Sequence, residues 1–92
     1  MGKESNIEKT ACRYARQAGF YVRKFSSPSC RGVPDQLFIS PKGEVFFIEF
    51  KAPGKEPTAL QLRELKLIRK NKGNAYWSDS IECAKNIIDC FK

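Results

Sequence analysis

Three residues of this chain have the types and spacing to do chemistry: Asp35, Glu49 and Lys51. Glu49 and Lys51 close the most apolar run of the sequence, Val45-Phe46-Phe47-Ile48. Side chains alternate faces along a strand, so Glu49 and Lys51 point the same way. An unpaired buried carboxylate costs several kcal/mol or takes up a proton, so something must compensate Glu49. A divalent cation shared with Asp35 would do so, and it would make the pair a centre for phosphodiester hydrolysis. The stretch between the two acids suits a hairpin with its turn at Lys42-Gly43, which sets them side by side. The Phe50 carbonyl is a candidate third ligand, and Lys51 is placed to hold or deprotonate an attacking water. The blander alternative is a surface ion pair between Glu49 and Lys51, with Asp35 merely starting a turn after Pro34. The order, separation and strand context of the three residues favour the metal site.

Composition narrows the chemistry further. The 92 residues suffice for one compact domain, read here as 1–92, and contain no histidine. That excludes His-dependent zinc sites, Ser-His-Asp triads and Cys-His nucleophiles. A metal must be held through oxygen, which suits Mg²⁺ or Mn²⁺. The 17 Lys and Arg against 10 Asp and Glu make a formal charge of +7, which favours polyanions. No apolar run approaches the roughly 20 residues of a membrane-spanning helix. The N-terminal Met1-Gly2-Lys3-Glu4-Ser5-Asn6 has neither a signal-peptide core nor a complete myristoylation signal. Cys12, Cys30, Cys83 and Cys90 form no C-x-x-C pair and read as reduced thiols and small core residues, so an intracellular protein is expected.

The elements that must position the acids follow from periodicity. Ile7, Ala11, Tyr14, Ala15 and Ala18 predict a helix over 5–18, with Ser5 and Glu8 as a capping box and Gly19 as the stop. Strands are expected at 20–25, 35–39 and 44–51. A second helix runs from Thr58, capped with Gln61, to about Lys72, and carries Gln61, Leu65 and Ile68 on one stripe. A short strand over 74–78 precedes a last helix capped by Asp79 or Ser80, with Ile81, Ala84, Ile88 and Phe91 on one face. Trp77 and the phenylalanines are expected in the core. The order αβββαβα implies an α/β fold, a small mixed sheet flanked by helices.

Gly32-Val33-Pro34-Asp35, then Glu49-Phe50-Lys51, then Gln61 resembles the PD-(D/E)xK restriction-endonuclease-like superfamily, in particular its virus-type replication-repair nuclease (VRR-NUC) domain. The resemblance implies that Asp35 and Glu49 bind metal, that Lys51 is catalytic, that Gln61 supports the site and that Glu8 is the acid of the first helix. Glu8 and Gln61 each also have a capping role on offer. Basic residues suited to DNA phosphates are Lys24, Arg31 and Lys55 around the site, and Arg63, Lys66 and Lys70 on the second helix. Nothing resembles a base-reading motif. The resemblance implies a phage or bacterial Mg²⁺- or Mn²⁺-dependent DNA endonuclease acting on branched DNA, foremost four-way (Holliday) junctions, as a homodimer. Alternatives are cleavage of flaps or other branches, or a non-catalytic DNA-binding module that keeps the fold. A sequence-specific restriction enzyme would need a recognition insertion that so short a chain lacks.

Overall fold

The computed structural model describes residues 3–92. Met1 and Gly2, read above for targeting signals, lie outside the described residues. The elements are α1 (Lys3–Gln17), β1 (Tyr21–Lys24), β2 (Gln36–Ile39), β3 (Val45–Phe50), α2 (Ala59–Lys70), β4 (Asn74–Ser78) and α3 (Ile81–Asp89). They follow the expected αβββαβα order.

The sheet order is β1-β2-β3-β4, antiparallel across the first three strands and parallel between β3 and β4. A parallel neighbour needs a crossover, and α2 supplies it. One sheet face carries Val22, Phe38, Phe46, Ile48 and Phe50, all buried, and packs under α1 and α3. Helix α1 fits that face through Ile7, Ala11 and Ala15, whose spacing is helical. Phe46 is the centre of this layer. Its ring stacks on Phe38 at 4.9 Å and Phe91 at 4.2 Å and meets Phe20 edge-on at 6.0 Å. Phe46→Ala should cost about 3–5 kcal/mol, a large share of the roughly 5–14 kcal/mol available to a domain of this size. A urea titration measures it, and a loss below about 1 kcal/mol would show that the layer collapses around the gap.

Several expectations change. Helix α1 is already formed at Lys3, so Ser5 lies inside it and the Ser5–Glu8 capping box does not exist. Asp35 occupies the bend before β2 instead of opening the strand. Ile81 is exposed at the start of α3, where Ser80 is the cap and accepts from the Cys83 amide. Of the four cysteines Cys12 alone is buried; Cys30 and Cys90 are exposed and Cys83 is half-buried. Trp77 is half-buried and Phe25 exposed, because both lie on the second sheet face, which α2 covers in part. Among the described residues no helix is long and apolar enough to cross a membrane.

Candidate active site

Two strand ends bring the acids together. In the β2–β3 ladder Gln36 faces Ile48 and Leu37 faces Phe47. Continued by one residue, that register sets Asp35 opposite Glu49, and opposed residues share a sheet face. The Phe25 amide donates to the Asp35 carbonyl at 2.8 Å, so pairing with the β1 end also continues through the bend. On the other flank Trp77 is the parallel register partner of Glu49. Phe25, Asp35, Glu49 and Trp77 therefore form one row across the sheet, two acids between two aromatics.

The approach to Asp35 is held by the loop before it. Gly32 has φ +87° and lies against the first turn of α2, where an added Cβ would stand 2.7 Å from the Leu60 carbonyl oxygen. Only glycine meets both demands. Pro34 is fully buried behind it. The Gly32-Val33-Pro34 segment thus ties the Asp35 bend to the helix that carries Gln61.

Glu49 is 5% exposed on β3. Gln61 Nε2 donates to its Oε2 at 3.1 Å, and Lys51 Nζ lies 3.8 Å from the same oxygen. Burial, then the Asp35 charge, push its carboxyl up to about 7, and the Lys51 ammonium offsets only part of this. Asp35 is raised as well, first by burial and then by the charge of Glu8, against the pull of Lys24. Asp35 Oδ1 is buried without a hydrogen-bond partner. A buried and a half-buried acid thus face each other, with an orphaned oxygen and one nearby ammonium.

Gln61 caps α2 and also hydrogen-bonds Glu49. Its Oε1 accepts from the Thr58 amide at 2.9 Å and its own amide donates to Thr58 Oγ1 at 3.2 Å, a complete capping box. The remaining amide group reaches Glu49. The cap thereby fixes the rotamer that the site uses.

Glu8 stands in a different cluster. Its carboxylate accepts from Gln36 Nε2 and pairs with Lys24 Nζ at 3.7 Å. Gln36 alternates with Asp35 and so points to the α1 side of the sheet. Glu8 acts on Asp35 through charge. Among the described residues no three Asp, Glu or Cys side chains converge as a ligand group, so Glu8 is not gathered with Asp35 and Glu49. Phe50 buries its ring in the core between Glu49 and Lys51. Gln36 was missed from sequence, although a glutamine at an inward position of a strand is a legible signal for a buried polar contact.

The remaining basic residues are spread over the surface. Lys24, Arg31 and Lys55 are exposed on strand and loops. Arg63, Lys66 and Lys70 line an open groove of about 460 Å³ along α2, with Leu62 and Leu67 between them.

The mixed α/β sheet with Asp35, Glu49, Lys51 and Gln61 clustered at its strand ends is the arrangement expected of a small nuclease of the restriction-endonuclease-like class. No protein-family model matches the chain. A solved structure described as a VRR_NUC domain superimposes with a TM-score of 0.90 at 31% identity and covers 100% of both chains. A curated protein named "Putative nuclease p44", from Acyrthosiphon pisum secondary endosymbiont phage 1, is 48% identical over 62 residues, 67% of each chain. The chain belongs to the VRR-NUC domain family.

Proposed function

We propose that this protein is a divalent-metal-dependent DNA endonuclease that cuts branched DNA, foremost four-way junctions, as a homodimer inside a bacterial cell. The observation that carries the reading is the opposed pair of carboxylates beside a lysine, Glu49 buried and Asp35 half-buried with one orphaned oxygen. That donor set suits a hard cation such as Mg²⁺ or Mn²⁺, because carboxylate oxygens match it and its charge relieves theirs. Asp35 and Glu49 would hold it, with the Phe50 carbonyl as a further oxygen. When bound, the cation supplies neutralisation of phosphate charge and activation of water.

The protein's own groups do the rest. Gln61 holds Glu49 in place through a side chain already fixed by its cap. Lys51, 15% exposed at its side chain, is placed to orient a water as a hydrogen-bond donor, and its charge faces the developing negative charge of the phosphate. Lys51→Ala should lower turnover roughly 10²–10⁴-fold while leaving thermal stabilisation by Mn²⁺ in place. Equal turnover in mutant and wild type would remove Lys51 from the chemistry.

The dimer reading draws on the second sheet face, where Tyr21 and Val45 are 48% and 42% exposed beside Phe25. A second copy would cover such a face, and a two-fold dimer offers two cutting centres to a junction of matching symmetry. The deciding experiment compares four-way junction, flap, splayed arm and plain duplex, each with and without Mn²⁺, alongside sedimentation over a concentration series. Junction cutting by a dimer supports the full reading. Equal cutting of all four substrates removes the branch preference, and no cutting of any of them removes the nuclease.

A further inference from the structure

We propose that the groove between α1 and β1 is a second DNA-backbone track, on the sheet face opposite the α2 track, and that it grips a second duplex arm. The groove has a volume of about 250 Å³ and is lined by Ser5, Glu8, Lys9, Cys12, Arg16, Lys24 and Gln36. Lys9, Arg16 and Lys24 are exposed cations at its rim. Lys9, Arg13 and Arg16 recur at helical spacing along the exposed side of α1. Lys9 and Arg16 are about 10 Å apart along the helix axis at 1.5 Å per residue, within reach of successive phosphates for side chains of this length.

The single carboxylate in the groove does not oppose an anion freely. Glu8 already accepts from Gln36 and is paired with Lys24 at 3.7 Å. That leaves two cations, Lys9 and Arg16, beyond the Glu8–Lys24 pair. Gln36, 6% exposed, lines the groove and holds Glu8 by donating to its carboxylate.

The location distinguishes this surface from the basic groove on α2. Helix α1 packs on the Phe38, Phe46 and Ile48 face, whereas α2 lies on the Glu49 face through Gln61. The row of acids sits at the strand ends on the α2 side of the sheet. One straight duplex does not follow tracks on opposite faces of a sheet, but two arms diverging from a branch do. This inference rests on the nuclease reading for the identity of the polyanion, and it assigns Lys9, Arg13 and Arg16 as arm contacts.

The test is binding without divalent cations, by fluorescence anisotropy, on a four-way junction and a linear duplex, for wild type, K9A/R16A and K66A/K70A. K9A/R16A should weaken junction binding at least about ten-fold near 0.1 M salt and reduce the log–log salt slope by about 2, with duplex binding changed less than two-fold. K66A/K70A should weaken both. Circular dichroism melting shows that each variant is folded. Unchanged junction affinity in folded K9A/R16A overturns the second track, and equal losses on junction and duplex overturn its assignment to a separate arm. Cleavage is scored separately with Mn²⁺: a protein that binds as described yet never cuts loses the nuclease reading and keeps the surface.

Discussion

Glu49→Gln should abolish cleavage and make the metal-free protein more stable at pH 8. The activity loss follows from removing a cation-holding carboxylate and should reach at least roughly 10³-fold. The stability gain follows from the folded-state titration. Glu49 has an ordinary value of 4.5 and is raised to about 7 by burial and the Asp35 charge. Between those two pH values the folded protein keeps a proton that the unfolded chain has released. Stability therefore falls as pH rises from about 4.5 to about 7, and the full penalty is present above the folded value. Each pH unit of that interval is worth about 1.4 kcal/mol, so the penalty at pH 8 is of order 3 kcal/mol. Glutamine is neutral at every pH and can still accept from Gln61, so it escapes that penalty. At pH 4 the two proteins should be nearly equally stable. Mn²⁺ should stabilise wild type at pH 8 and do far less for the mutant. Urea titrations at pH 4 and pH 8 measure all of this. A mutant less stable than wild type at pH 8 would mean that Lys51 and Gln61 already satisfy Glu49, and the case for a missing cation would fall.

Gly32→Ala should lower turnover about 10²-fold in a protein that still folds, the penalty of displacing a reacting group by about 1 Å. Alanine at φ +87° is strained, and its Cβ would meet the Leu60 carbonyl oxygen at 2.7 Å and the Leu60 carbonyl carbon at 2.8 Å. Backbone atoms in a helix turn do not give way, so the loop must move and take Asp35 with it. The stability cost should be about 1–3 kcal/mol. Gly43 provides the control: its φ is +88°, yet nothing lies within 4 Å of the position a Cβ would take. Gly43→Ala carries the same backbone strain without the collision and should keep its turnover. If both variants lose activity equally, the contact with α2 is not what positions Asp35.

These two results probe different kinds of legibility. Glu49 could be found from local pattern alone, because an acid at the end of Val45-Phe46-Phe47-Ile48 breaks the composition that a buried strand requires. Its pairing with Asp35 could also be anticipated, since a tight hairpin turn permits few registers. The Thr58–Gln61 box was readable because capping involves residues three apart. Gly32 was visible as part of a motif, but its reason was not: the obstacle it avoids is the Leu60 backbone, far along the chain.

Local patterns also misled. Ser5 and Glu8 have capping-box spacing, yet the helix begins earlier and Glu8 turns to Gln36 and Lys24 instead. Spacing cannot tell a first turn from a second when the preceding residues also accept helix. The thiols of Cys30, Cys83 and Cys90 were expected inside, but small residues are admitted at exposed and half-exposed positions without penalty.

The amino-acid sequence by itself determined the element order, the faces of β3 and the cap of α2, because each depends on residues within a few positions of one another. Only the tertiary structure decided that an Asp35 oxygen is left without a partner, that Glu8 belongs to a neighbouring cluster, and that α1 and α2 present basic surfaces on opposite sides of the sheet. Those facts depend on strand register and on which face each helix covers, and packing of the whole chain settles both.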